Sequence, residues 1–179
     1  MLSHDPGSRP PVEQPTVSVA RLERDPTVRS VEIARLGPND TERVVAASPM
    51  FDGPATRTWA LQFLSREGHH LLIASIDDAD VGFVSGVEMT HPDKGTEMLL
   101  YELAVSEPYR RRGVGRALVE ALARLADEQG CYGMWVGTDD DNIAALATYR
   151  SAGAGEPEPC VILNWTFNRD EGDDPSPPA

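Results

Sequence analysis

Cysteine is scarce in this chain: Cys131 and Cys160 are the only two, and neither sits in a His/Cys cluster. That pattern offers no zinc site and no disulfide framework. Both lie near expected strands, so buried free thiols in a reducing cytoplasm are the expectation. No apolar run approaches the roughly 20 residues of a membrane span. The opening Met1-Leu2-Ser3-His4-Asp5-Pro6-Gly7 lacks the basic-then-apolar order of a signal peptide, so neither insertion nor export is expected. Positive charge is also short: 16 Lys plus Arg face 29 Asp plus Glu, a net −13. Such a chain repels phosphate backbones, which argues against a nucleic-acid partner, and attracts cations, although acidity also simply solubilises. The Gly-x-x-x-x-Gly-Lys-Ser/Thr phosphate loop is absent. So is a Gly-x-Gly-x-x-Gly run after an early strand with an acid following the next strand.

What is present fits one soluble domain: 179 residues, 40% apolar and 25% charged. Residues 1–28, with Pro6, Pro10, Pro11, Pro15 and Pro26, and the acidic, Pro-rich 169–179 read as disordered tails around a domain at 29–168. Alternation and turn chemistry predict strands at 31–36, 70–76, 81–90, 96–105 and 132–137, with a closing strand at 159–167. Helices are expected over 40–47, 56–66, 114–129 and 142–152. The third is the clearest, because Val114, Leu118, Leu122 and Leu125 recur at spacings of four and three. The stretch from 96 to 137 should form a right-handed parallel crossover. Asp77, Asp78 and Asp80 fall in a hairpin turn and are expected to be solvated.

One segment carries chemistry. Tyr101-Glu102-Leu103-Ala104-Val105 runs through Ser106-Glu107-Pro108-Tyr109 into Arg110-Arg111-Arg112-Gly113-Val114-Gly115-Arg116, which opens the third helix. The first N–H groups of a helix have no internal partner and stand at the positive end of its dipole, a ready anion site. Gly113 and Gly115 remove side chains where a diphosphate would approach the backbone. The alternative is a solvated, Arg-rich helix start.

Arg110-x-x-Gly113-x-Gly115 after Leu103-Ala104-Val105 resembles the acetyl-coenzyme A motif of the GCN5-related N-acetyltransferases (GNAT). Asn142-x-x-Ala145-x-x-x-Tyr149-x-x-x-Gly153 resembles that superfamily's second signature, over a fit of about 30–167. Ala154 departs from the Phe that many members carry after the glycine. Tyr101-Glu102-Leu103-Ala104-Val105, the acidic Thr138-Asp139-Asp140-Asp141 and the compact length are closer still to the aminoglycoside 3-N-acetyltransferases. There the strand commonly reads Tyr-Asp-Leu-Ala-Val.

The resemblance implies an α/β fold of α+β type: a mixed central sheet with a V-shaped splay between two parallel strands and helices on both faces. It implies acetyl-CoA as co-substrate, with no metal. The backbone of Leu103, Ala104 and Val105 would hold the pantetheine arm. Arg110, Arg111, Arg112, Gly113, Val114, Gly115 and Arg116 would hold the diphosphate, and Asn142 and Ala145 would meet the arm from the next helix. Tyr149 would protonate the departing thiolate, and a Val105 or Leu103 N–H would meet the developing oxyanion. Glu102 would be the base, directly or through water, with Glu88 and His91 as fallbacks. Glu102 could instead pair with a nearby arginine, and Tyr149 could instead be a core aromatic. A polycationic acceptor would meet Asp52, Asp139, Asp140 and Asp141, although the last three also read as a solvated capping loop. Another amine acceptor, or a non-catalytic coenzyme A-binding regulator, remains open at this point. A homodimer is expected through the apolar closing segment.

Overall fold

The computed structural model describes residues 30–167. The two expected tails lie outside the described residues. Strands β1 (Glu32–Arg35), β2 (His69–Ile76), β3 (Ala79–His91), β4 (Gly95–Val105) and β5 (Met134–Trp135) form one sheet in sequence order. β1 to β4 are antiparallel neighbours, and β4 and β5 are parallel. Helices α1 (Thr41–Ala46) and α2 (Arg57–Ser65) come between β1 and β2, α3 (Val114–Glu128) joins β4 to β5, and α4 (Ile143–Ser151) follows β5. Among the described residues no helix is long and apolar enough to cross a membrane.

The sheet divides the core in two. On one face Leu118, Leu122 and Leu125 of α3 pack on Leu72, Val84 and Met98, with Tyr149 and Ala152 of α4 against the same cluster. On the other, Val44 of α1 and Ala60 and Leu64 of α2 pack on Leu71, Ile73 and Phe83. Alternate side chains of a strand supply opposite faces, so β2 sends Leu72 to α3 and Leu71 and Ile73 to α2. Gly86 lets α3 dock closely: a Cβ there would lie 2.7 Å from Leu122 Cδ1 and 2.8 Å from Met98 Sδ.

Four details differ from the sequence reading. β5 has two residues rather than six, and no strand forms at 159–167. Local β-propensity there finds no long neighbouring edge to pair with, and Pro157 and Pro159 interrupt the approach. Val161, Ile162, Leu163, Trp165 and Phe167 all stay exposed. Cys160 is exposed and Cys131 half-buried, both as free thiols, so the expected burial of Cys160 is corrected. Asp80 is no idle turn residue: it accepts hydrogen bonds from the Arg43 guanidinium at 2.6 and 3.0 Å and from Ser75 Oγ at 2.8 Å, tying α1 to the β2–β3 hairpin. The Arg43 bond holds its carboxyl below the usual range.

Candidate active site

The site begins with a bulge. Leu100 pairs with Gly86 and Glu102 with Ser85, leaving Tyr101 as the extra residue of β4. The bulge resets the alternation, so Leu100 and Leu103 both face the α3 side. It also turns Tyr101 and Glu102 together into a cleft on the α2 side. Simple alternation would put Tyr101 on the face of Leu103; the bulge places it with Glu102 instead.

Beyond the bulge, β4 loses its parallel neighbour. β5 pairs only Met134 with Met98 and Trp135 with Leu99. Ser106 N–H donates to Val81 O on the β3 side. By alternation, Leu103 and Val105 therefore turn their peptide groups towards the open gap. The Val105 carbonyl is taken by Arg110 Nε at 2.9 Å, and its N–H faces the gap. Beside that edge lies the N terminus of α3, where a Cβ on Gly115 would lie 3.7 Å from Val105 Cγ2. Its N-cap is Gly113, at φ +83° and with no side-chain cap. Ala117 is the first residue to bond back into the helix, to Gly113 O. The N–H groups of Val114, Gly115 and Arg116 thus have no intrahelical acceptor. Arg111 also has positive φ, at 61°. Arg112 stacks over Tyr109 with its guanidinium carbon 5.4 Å from the ring centroid. Arg116 is bound instead to Glu120 at 2.7 Å, so only its backbone is free for a ligand at this terminus. A free strand edge leading to an uncapped, glycine-bearing helix start suits an extended, amide-bearing chain ending in a diphosphate.

α4 packs beside the start of α3. Asn142 caps α4, its Oδ1 accepting from Ala145 N–H at 3.1 Å, and the cap leaves the Asn142 amide nitrogen unused. Gly115 admits this helix: a Cβ there would lie 3.3 Å from Thr148 Cγ2. Tyr149 is half-buried against the α3-side core, and burial pushes its phenol above the ordinary value. Tyr149 and Glu102 therefore stand on opposite faces of the sheet.

Glu102 lines a cleft of about 350 Å³ between α2 and the sheet. Its carboxyl is raised above the usual range, first by burial and then by the negative charge of Asp52. Asp52 thus belongs with Glu102 electrostatically. Asp139, Asp140 and Asp141 do not line the cleft; they are exposed in the β5–α4 connection. The fallback bases fail on position. Glu88 faces the α3 side, where Oε1 meets His70 Nε2 at 2.7 Å, while Arg35 Nη2 meets His70 Nδ1 at 3.0 Å. His91 pairs with Asp93 at 2.8 Å in an exposed turn. The aromatic walls of the cleft, Phe51, Trp59, Phe63 and Tyr101, were missed as site residues. The spacing of Trp59 and Phe63 on α2 signalled only an apolar face. Among the described residues no cluster of His, Cys, Asp and Glu could hold a metal ion.

Residues 40–154 match the acetyltransferase (GNAT) family. Over 60 residues the chain is 38% identical to the [ribosomal protein bS18]-alanine N-acetyltransferase of Escherichia coli (strain K12), covering 34% of this chain and 40% of that one. Over 92 residues it is 29% identical to human (Homo sapiens) N-acetyltransferase 8, covering 51% of this chain and 40% of that one. The match thus spans about two fifths of the length of these curated relatives. The fold is similar to that of an aminoglycoside acetyltransferase from an uncultured soil metagenomic sample in complex with sisomicin. That likeness has a TM-score of 0.69 at 21% identity over 77% of this chain and 97% of the other. It is also similar to aminoglycoside N-acetyltransferase AAC(6')-Iy in complex with CoA, with a TM-score of 0.66 at 19% identity over 80% of this chain and 100% of that one.

Proposed function

The chain belongs to the GNAT acetyltransferase family, and from that premise we propose that it transfers an acetyl group from acetyl-CoA directly to a primary amine. The observation that carries the reading is the gap between β4 and β5, with a free strand edge and an uncapped helix start; Glu102 on one face of the sheet and Tyr149 on the other support it. The residues fit the co-substrate: Leu103, Ala104 and Val105 offer an edge to the amide-rich arm. The N–H groups of Val114, Gly115 and Arg116, with Arg110, Arg111, Arg112 and Gly113 around them, offer a diphosphate cradle. Asn142 and Ala145 flank the arm from α4. Acetyl-CoA supplies the acetyl group as a thioester.

The chain's own part is proton handling and charge placement. The Glu102 carboxylate takes the proton that the amine must lose, directly or through water, which frees the nitrogen lone pair. An N–H of Leu103 or Val105 donates to the oxygen on which charge develops. Tyr149 Oη supplies a proton to the sulfur as the C–S bond breaks and the C–N bond forms. A phenol suits this because its reference pKa of about 10 lies just above that of a thiol, and burial keeps Tyr149 protonated. Neither Cys131 nor Cys160 is needed as a nucleophile.

A second, finer reading makes the acceptor an aminoglycoside acetylated at its 3-amino group, as in antibiotic modification. The paired charges of Asp52 and Glu102 and the exposed Asp139, Asp140 and Asp141 favour it, since a polycation is drawn to carboxylates. We further propose a homodimer, supported by the exposed apolar run near the C-terminal end of the described chain. The test of the central reading is calorimetric titration with coenzyme A, followed by a thiol-release assay over amines. Binding in the micromolar range with amine-dependent turnover is expected. Tyr149→Phe should lower turnover by about a hundredfold while coenzyme binding persists. Binding without turnover of any amine would make the protein a coenzyme A-binding regulator, and no binding would end the reading.

A further inference from the structure

The cleft beside Glu102 has an order of charge along its floor. Leu71, Ser85 and Glu102 are register partners across β2, β3 and β4. The floor therefore crosses two interstrand steps, roughly 10 Å. At the β4 end stands Glu102, with Asp52 near enough to act on it. At the β2 end the α2 terminus and the strand start bring in Arg66 and His69. The Arg66 guanidinium is exposed and makes no hydrogen bond or ion pair among the described residues. Its neighbours in the same layer are engaged: Arg43 with Asp80 and Arg57 with Glu42. Between the two ends the walls are aromatic, and Trp59 and Tyr101 are 47% and 72% exposed.

Resting on the acetyltransferase reading, we propose that the acceptor is a primary amine on an apolar, aromatic-sized body that carries an anionic group at its far end, the nitrogen at Glu102 and the anion at Arg66. The reaction is unchanged: the nitrogen gains the acetyl carbon, sulfur loses it, and the nitrogen's proton passes to Glu102. The order of charge disfavours two alternatives, the second of them the aminoglycoside reading above, and the acceptor ranking decides between them. An α-amino acid carries amine and carboxylate on one carbon and cannot span the floor. A polycationic, hydroxylated sugar would set ammonium groups against Arg66 and bury hydroxyls against aromatic walls without partners.

The test uses the full chain and four amines: 4-(2-aminoethyl)benzoate, its neutral partner 4-methylphenethylamine, phenylalanine and the aminoglycoside sisomicin. The benzoate should show a KM about tenfold below that of the methyl compound, the size of one charge-assisted contact, and should outrank phenylalanine and sisomicin in kcat/KM. Arg66→Gln should raise the benzoate KM about tenfold, Arg66→Lys should restore most of it, and Arg66→Glu should make the benzoate the poorer of the pair. Arg66 is on the surface, so these variants fold. Equal KM values for the two phenethylamines, or sisomicin as the preferred acceptor, would overturn the inference. Calorimetry with coenzyme A alone keeps the two readings apart. Binding with the wrong acceptor ranking removes only this proposal, whereas no binding removes the acetyltransferase reading with it.

Discussion

Glu102 concentrates the cost and the use of the site in one side chain. Its carboxyl is raised by burial and by Asp52, so the ionised form is disfavoured in the folded protein. The sign follows from linkage: a raised carboxyl favours folding below the unfolded pKa, and that contribution is lost as pH climbs through the folded value. At pH 7 the ionised Glu102 therefore works against the fold. Glu102→Gln should raise the melting temperature at pH 7 slightly while lowering kcat by about a hundredfold. Asp52→Asn removes one of the two causes, so the acid limb of kcat/KM should move to lower pH. An acid limb unmoved in Asp52→Asn, or a Glu102→Gln enzyme with the parent pH–rate profile, would remove Glu102 from the role of base. The Tyr149 phenol is also raised, but from above neutrality, so the same direction carries it further from pH 7. It stays protonated at neutral pH, which is what the proposed donor to sulfur requires.

At the scale of elements, what was legible in the sequence was what a single element decides. α3 followed from the spacing of Val114, Leu118, Leu122 and Leu125, all buried as expected. The β2–β3 hairpin and β4 followed from alternation and turns. Three features depended on partners that sequence spacing does not name. The strand expected at 159–167 has the right residues but no edge to join. The bulge at Tyr101 is set by register with β3. The cleft is assembled from α2, β2, β3 and β4, so no window of sequence contains it. Gly86 is a further case: an isolated glycine in a strand, whose reason is the close approach of Leu122 and Met98. Gly86→Ala should cost about 1–3 kcal/mol by overpacking. Adding Leu122→Ala should recover part of that cost, so the pair is destabilised by less than the sum of the singles. Chemical denaturation of the four proteins measures the coupling, and strict additivity would mean that Gly86 and Leu122 do not meet.

At the scale of the whole molecule, two properties oppose one another. The chain carries a net −13, so two copies repel at long range. Yet Val161, Leu163, Trp165 and Phe167 stand between 72% and 84% exposed along one short run, more apolar surface than single scattered residues present. If that run is the contact between copies, association is apolar at the interface and electrostatically opposed outside it. Salt screens the repulsion, with a Debye length of about 10 Å at 0.1 M, and leaves the apolar contact in place. Dimerisation should therefore strengthen as salt rises from 20 to 300 mM, on the order of tenfold in affinity, the reverse of an interface held by ion pairs. Trp165→Asp, on an exposed and unstructured stretch, should leave the melting temperature within about 1 °C while shifting the protein to monomer at every salt concentration. Sedimentation velocity on both proteins reads the result. A parent protein that stays monomeric at high salt, or a Trp165→Asp protein that dimerises as the parent does, would leave the exposed run without this role.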